Sequence, residues 1–131
     1  MALALLAGAI LARMGRFRAH GLCQSIVVVL NVAVIGLVML PAFRQQVAPR
    51  IPLKLGKSFY AIATAHAVLG ATVECAALYI LLAAGTTLIP ERFRLMRFKL
   101  WMRTVLIAWW AVLFLGVATY SRWYIPNLFR R

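Results

Sequence analysis

Few side chains in this sequence can do chemistry. The acids are Glu74 and Glu91, the histidines His20 and His66, and the cysteines Cys23 and Cys75. Two amides, Gln24 and Asn31, stand inside apolar runs. Hydrolysis calls for paired carboxylates, or for a nucleophile with an adjacent base. The chain has no Asp, no Ser beside a base and no glycine-rich phosphate loop. One intramembrane-type glutamate and two scattered histidines do not make a reacting set. No catalytic residue is assigned, and a non-catalytic role is expected, with the enzyme question left open.

The spacing of these groups is more telling than their number. At about 100° per residue on a helix, His20, Gln24 and Asn31 fall on one stripe. His66, Gly70 and Glu74 share a face in the same way, and Gly70 removes a side chain where a partner helix or a flat ligand could approach. Beside that face run Ala63, Ala67, Ala71 and Cys75, spaced by four. This small-residue ridge is expected to be a helix-packing seam.

Two histidines raise the question of a haem clamped between them. Axial ligands must stand at one level on opposite faces of the ring. His20 and His66 are offset by about fourteen residues along the helix axes, or ~21 Å. One chain therefore does not hold a haem with both. A cofactor role for His66 requires a second ligand from a partner chain; His20 is the weaker cofactor candidate. Met39 is closer in level to His66 but is expected to face lipid or core. His20 and Cys23 have the i, i+3 spacing of a metal-binding pair, yet no third ligand is near in sequence, so no metal site is assigned. His20 reads as a headgroup-level residue at a helix start.

What must position these groups follows from composition. Apolar residues make up 65% of the 131 positions and charged residues 13%. Soluble domains run nearer half and a quarter. Such hydrophobicity excludes a disordered tail, and the polar surface is too small for an ordinary soluble enzyme. Fifteen Lys and Arg against two acids give a net charge of +13. The cations fall in short clusters between apolar runs: Arg13, Arg16 and Arg18; Arg44, Arg50, Lys54 and Lys57; Arg92 to Arg103; and Arg122, Arg130 and Arg131. Clusters at the ends of spans meet lipid headgroups and set topology. A nucleic-acid groove needs its cations on one folded face, so nucleic acid is not an expected partner. The cysteines read as small packing residues, with no CxxC and no disulfide framework.

The expected architecture is all-α: an integral membrane four-helix bundle in one domain, 1–131, with spans at about 1–13, 21–43, 58–88 and 103–124. The first run, Met1 to Ala12, reaches only about 18 Å as a helix, short of a ~30 Å hydrocarbon core. It has no basic n-region and does not read as a signal peptide; a start downstream of the true one is expected. Pro41 suits a helix exit, and Arg44 to Lys57, with Pro49, Pro52 and Gly56, reads as a solvent-side loop. Glu91 to Arg103 reads as an amphipathic interfacial stretch leading into the last helix. Trp101 marks one interface of that helix, and Trp123 with Tyr124 the other, with Arg122 snorkelling beside them. Eight cations in the first and third loops against seven in the second loop and tail give a slight bias that puts the former inside. Counting depth from a loop at 44–57, Asn31 and His66 come level and are expected to hydrogen-bond. Glu74 comes level with Gln24, a turn or two from His20 and Arg103. It is expected either to be protonated through desolvation or to pair with one of those groups.

The ordered residues Ala12-Arg13, Arg16, Arg18, His20-Gly21, Leu30-Asn31, Met39 to Phe43, His66 to Gly70 through Glu74, and Gly116 to Tyr120 resemble the domain-of-unknown-function family numbered four-twenty. The resemblance covers about residues 12 to 124. It implies a small four-helix membrane protein of bacteria or archaea, some of whose relatives assist maturation of haem–copper oxidases. The family's histidine positions would map to His20 and His66. Some branches carry a further histidine where this chain has Phe98 and Lys99. The family's first helix is full length, which implies a truncated start here. The expected function is a non-catalytic accessory protein of a respiratory or electron-transfer complex in a prokaryotic inner membrane, acting in assembly or cofactor delivery. The expected partners are the lipid bilayer and complex subunits, a haem–copper oxidase among the candidates. One rival is a small b-type cytochrome or quinone-contacting subunit with His66 as haem ligand. The other is a structural subunit that docks through Ala63, Ala67 and Ala71.

Overall fold

The computed structural model describes residues 1–54, 56–93 and 97–128, with the side chains of 58, 59 and 123–128 outside the description. Helices dominate, and no strand occurs among the described residues. Helix α1 (Ala2–Arg13) ends at Gly15, whose φ of 73° only glycine adopts freely. The turn uses two spare amides: Gly15 N donates to Ala12 O and Arg16 N to Leu11 O. Helix α2 (Phe17–Val34) starts directly after it.

The rod does not stop at Pro41. It continues as a π turn (Ile35–Met39), a short α segment (Leu40–Ala42), a second π turn (Phe43–Val47), a 3-10 turn (Ala48–Arg50) and a last α turn (Ile51–Lys54). Each π turn ends two residues before a proline, Pro41 or Pro49. Proline lacks an N–H and crowds the carbonyl four residues back. Widening the preceding turn relieves both problems without ending the helix. The expected loop at 44–57 is therefore mostly helical, and the chain reverses only just before Ser58.

Helix α3 (Ser58–Gly85) follows and ends where Thr86 turns extended. The Thr86 hydroxyl donates to Leu82 O at 2.6 Å, which closes the last turn. Helix α4 (Phe98–Leu128) starts five residues earlier than the expected span. Before it, Glu91–Phe93 forms a 3-10 turn. Arg94 to Met96 of the expected interfacial stretch lie outside the described residues, as do Arg130, Arg131 and the side chains of Trp123 and Tyr124.

α1 packs on α2, α2 on α3 and α3 most extensively on α4, while α1 also touches α4. All four contribute to one core: Leu5; Val27 and Val28; Val73, Ala77 and Ile80; Val105, Trp109 and Val112. A second cluster joins the far end of the α2 rod to the start of α3, with Val47 against Tyr60 and Ala63.

Large apolar side chains lie on the outside as well as in the core. Leu3, Leu37, Val68 and Ile107 are 82, 78, 64 and 71% exposed. Water-facing surfaces do not carry such residues on every helix. Three stretches are long and apolar enough to cross a membrane: Phe17–Lys54, Tyr60–Gly85 and Phe98–Arg122. Ala2–Arg13 is a shorter apolar helix. Four hydroxyls on these rods are silenced locally, since Ser25, Thr72, Thr104 and Thr119 each donate to the carbonyl four residues back, whereas Thr64 Oγ1 is buried without a partner among the described residues.

Candidate functional site

The polar side chains singled out in the sequence settle at three joints, one between each neighbouring pair of helices. At the first, His20 on α2 reaches across to α1, with Nδ1 2.7 Å from Gly8 O. Cys23 Sγ donates to Ala4 O at 3.6 Å one turn away. The Gln24 amide lies over Gly8, where a methyl group would overlap it. Two of the three residues of the predicted stripe thus face α1.

The second joint lies between α3 and α4. His66 Nδ1 stands 3.0 Å from Val112 O. Its ring covers Gly116, where an added Cβ would come within 3.1 Å of Cε1. Gly70 meets the same helix, its missing Cβ 3.5 Å from Val112 Cγ1. Of the two approaches that Gly70 was expected to allow, the structure fills it with a helix. At both histidines the partner is a carbonyl, which only accepts, so Nδ1 carries the hydrogen. In a neutral ring so oriented the lone pair is on Nε2.

The third joint is the α2–α3 contact. Asn31 Nδ2 donates to Glu74 Oε2 at 2.6 Å. Glu74 is only 5% exposed, and its Oε1 has no hydrogen-bond partner among the described residues. This corrects both expected pairings: Asn31 bonds Glu74 and not His66, and Glu74 finds neither Gln24, His20 nor Arg103. The cause is the helical continuation of α2. With Val47 opposite Tyr60, Asn31 lies 16 residues back along one rod and Glu74 lies 14 residues onward along the other. Antiparallel counting brings them level. Counting from a loop at 44–57 had shifted α2 against α3.

The alanine ridge is not one seam. Ala63 is buried under Val47, Ala67 is half-buried, and Ala71 and Cys75 are exposed. At the α2–α3 turn, Arg50 Nη1 donates to Tyr60 Oη at 3.3 Å and ties the rod's end to α3. Tyr79 Oη donates to Phe93 O and holds the α3–α4 connection against α3.

Gly8, Val112 and Gly116 were not foreseen as site residues. A lone glycine within an apolar helical run was the available signal at Gly8 and Gly116. Val112 acts through its carbonyl, which no side-chain pattern marks.

No protein family, curated protein or solved structure matches the chain. Among the described residues, no three or more His, Cys, Asp or Glu side chains converge as a metal site would require. A haem does not fit around His66 within this chain. The gap at Gly116 is filled by the imidazole itself, and the gap at Gly70 by Val112. Two surface hollows lie elsewhere, along Ser25 to Leu30 and at Ala84 to Thr87.

Proposed function

We propose that this chain is a multi-pass integral membrane protein of the prokaryotic cell membrane, a four-helix up-and-down bundle. In that setting it serves as a non-catalytic accessory protein of a respiratory or electron-transfer complex, acting in assembly or cofactor delivery. The observation that carries the reading is how its interior polar groups are spent. His20, His66, Asn31 and Glu74 each bond a neighbouring helix; Asn31 and Glu74 bond each other, and neither histidine joins them. Polar residues at membrane depth usually face inward and find partners, and these act as helix-to-helix ties. The exposed apolar faces of three long helices suit lipid and membrane-embedded partners. The ordered resemblance to the four-twenty family supplies the respiratory context.

Deleting the gene and recording oxidase spectra and activity tests the proposal. Reduced assembled, haem-loaded oxidase is expected; unchanged levels overturn the respiratory role.

A second reading is favoured by one observation. With Nδ1 held by Val112 O, His66 in its neutral form presents Nε2 as a single ligand, the arrangement found where a ligating histidine donates its other ring N–H to a carbonyl. A haem or quinone contact would then have to be completed on the outer surface by a partner chain. Protein purified with its partners should show a reducible Soret band that His66→Ala abolishes. A colourless preparation removes this reading.

A further inference from the structure

Glu74 poses a problem that the accessory reading does not solve. It sits near the middle of the Tyr60–Gly85 span, 95% buried, in a core of valine, alanine and tryptophan. Asn31 serves one carboxyl oxygen, and nothing among the described residues serves the other. A bare carboxylate in such a place lacks the donors it needs.

Among the described residues, the side chains that could supply a counter-charge are turned elsewhere. On α2, His20 and Cys23 bond α1 carbonyls, and no ionisable side chain follows until Arg44. On α3, His66 bonds α4, Tyr79 bonds Phe93 O, Cys75 is exposed, and Tyr60 lies 14 residues away at the Arg50 contact. On α4, none stands between Arg103 and Tyr120, both exposed. α1 has none before Arg13. A metal cation fares no better, since hard cations take six or more oxygens. Asn31 presents its NH2 here, while the Ser25 and Thr72 hydroxyls bond their own helices.

We propose that Glu74 and Asn31 form an intramembrane proton-binding site. Oε1 carries an exchangeable proton, and Oε2, as the carbonyl oxygen of the neutral acid, accepts the Asn31 amide. The ligand is the proton itself. The α2–α3 joint is then a place where proton occupancy is coupled to the contact of two helices, a property that goes beyond assembly or delivery.

The composition makes this directly measurable. The chain holds two acidic side chains in total, so its carboxylic-acid infrared band has two side-chain sources, Glu74 and Glu91. The full chain is reconstituted in phosphatidylcholine vesicles and oriented films are recorded at pH 7. A protonated-carboxyl stretch is expected in the wild type and in Glu91→Gln. It should shift in D2O, disappear in Glu74→Gln and move to higher frequency in Asn31→Leu. A wild-type film without that band, or a band that survives Glu74→Gln, overturns the proposal. Should Glu74→Gln fail to insert, 13C-glutamate labelling of the wild type gives two side-chain carboxyl resonances. One of them at the neutral-acid position at pH 7 supports the site, and two ionised signals refute it. The amide dichroism of the same films reports whether the helices cross the bilayer, so a failure of the membrane reading is seen separately.

Discussion

The α1–α2 and α3–α4 pairs solve one problem in the same way. Each seats a histidine from one helix on a backbone carbonyl of the next, at a place where glycine leaves room. His20 bonds Gly8 O, with Gln24 lying over Gly8; His66 bonds Val112 O and lies over Gly116. The difference is in what occupies the glycine gap. At Gly8 it is the tip of a glutamine, which has free torsions and no hydrogen bond to keep among the described residues. At Gly116 it is the imidazole ring, already held at 3.0 Å by a bond. The first joint can give way; the second is fixed. The α2–α3 joint between the pairs is of another kind, a carboxyl against an amide, with the second carboxyl oxygen unpartnered among the described residues.

That contrast ranks the joints by cost of breakage. The largest effect is expected from Asn31→Leu, which removes the only described donor to a buried carboxyl. Leaving a buried charged or polar group unsatisfied costs about 1–3 kcal/mol, and more if it is ionised. Unfolding free energy in bicelles should fall by about 3 kcal/mol, at the upper end of that range. Asn31→Leu combined with Glu74→Leu should recover most of the loss, since replacing both partners by apolar groups is nearly neutral. An additive double mutant would show that the pair is not coupled.

How legible this was in the sequence follows from the same joints. The three long spans follow from hydropathy, and the inward turning of Asn31, His66 and Glu74 follows from their cost in an apolar setting. The partners were not legible, for two reasons. His20 and His66 bond main-chain carbonyls, and every residue has one. Asn31 and Glu74 were placed at the wrong levels because Pro41, Pro49, Pro52 and four cations signal a loop, while the chain absorbs the first two prolines in π turns and stays helical. The local rule for proline was sound; what it could not show is that Val47 packs on Tyr60 and Ala63 and so holds the rod together beyond it.

Bulk at the two glycines sharpens the comparison of the outer pairs. Gly116→Val pushes a side chain into a ring that cannot leave without losing its bond to Val112. Overpacking of this kind costs about 1–3 kcal/mol. The His66 imidazole nitrogen shifts should move at the same time, because the Nδ1 bond is disturbed. Gly8→Val is expected to cost less, since Gln24 can swing away, and to leave the His66 shifts unchanged. Equal losses at the two sites would erase the distinction drawn between them.

Removing the histidines themselves should matter less than either. Val112 O lies within a continuous helix and keeps its own intrahelical bond to Gly116 N when the imidazole is gone, so no orphaned acceptor is created. His66→Leu should therefore cost only about 0.5–1.5 kcal/mol, the net worth of one ordinary hydrogen bond. His20→Leu should cost a similar amount, because Gly8 O likewise keeps its place in the α1 ladder.

The smallest effects are expected from single methyl groups, and here the sign distinguishes the joints. Ala is favoured over Gly within a helix by about 0.5–1 kcal/mol. At Gly8 the overlap falls on the movable end of Gln24, so the helix preference prevails and Gly8→Ala should leave stability unchanged or raise it slightly. At Gly116 the neighbouring ring must yield by a few tenths of an ångström from a Cβ at 3.1 Å, stretching the 3.0 Å bond that holds it. The two terms then oppose each other, and Gly116→Ala should be neutral to mildly destabilising with a measurable change in the His66 nitrogen shifts. A stabilised Gly116→Ala protein with unaltered His66 signals would show that the ring is as free to move as the glutamine, and that the second joint is no more fixed than the first.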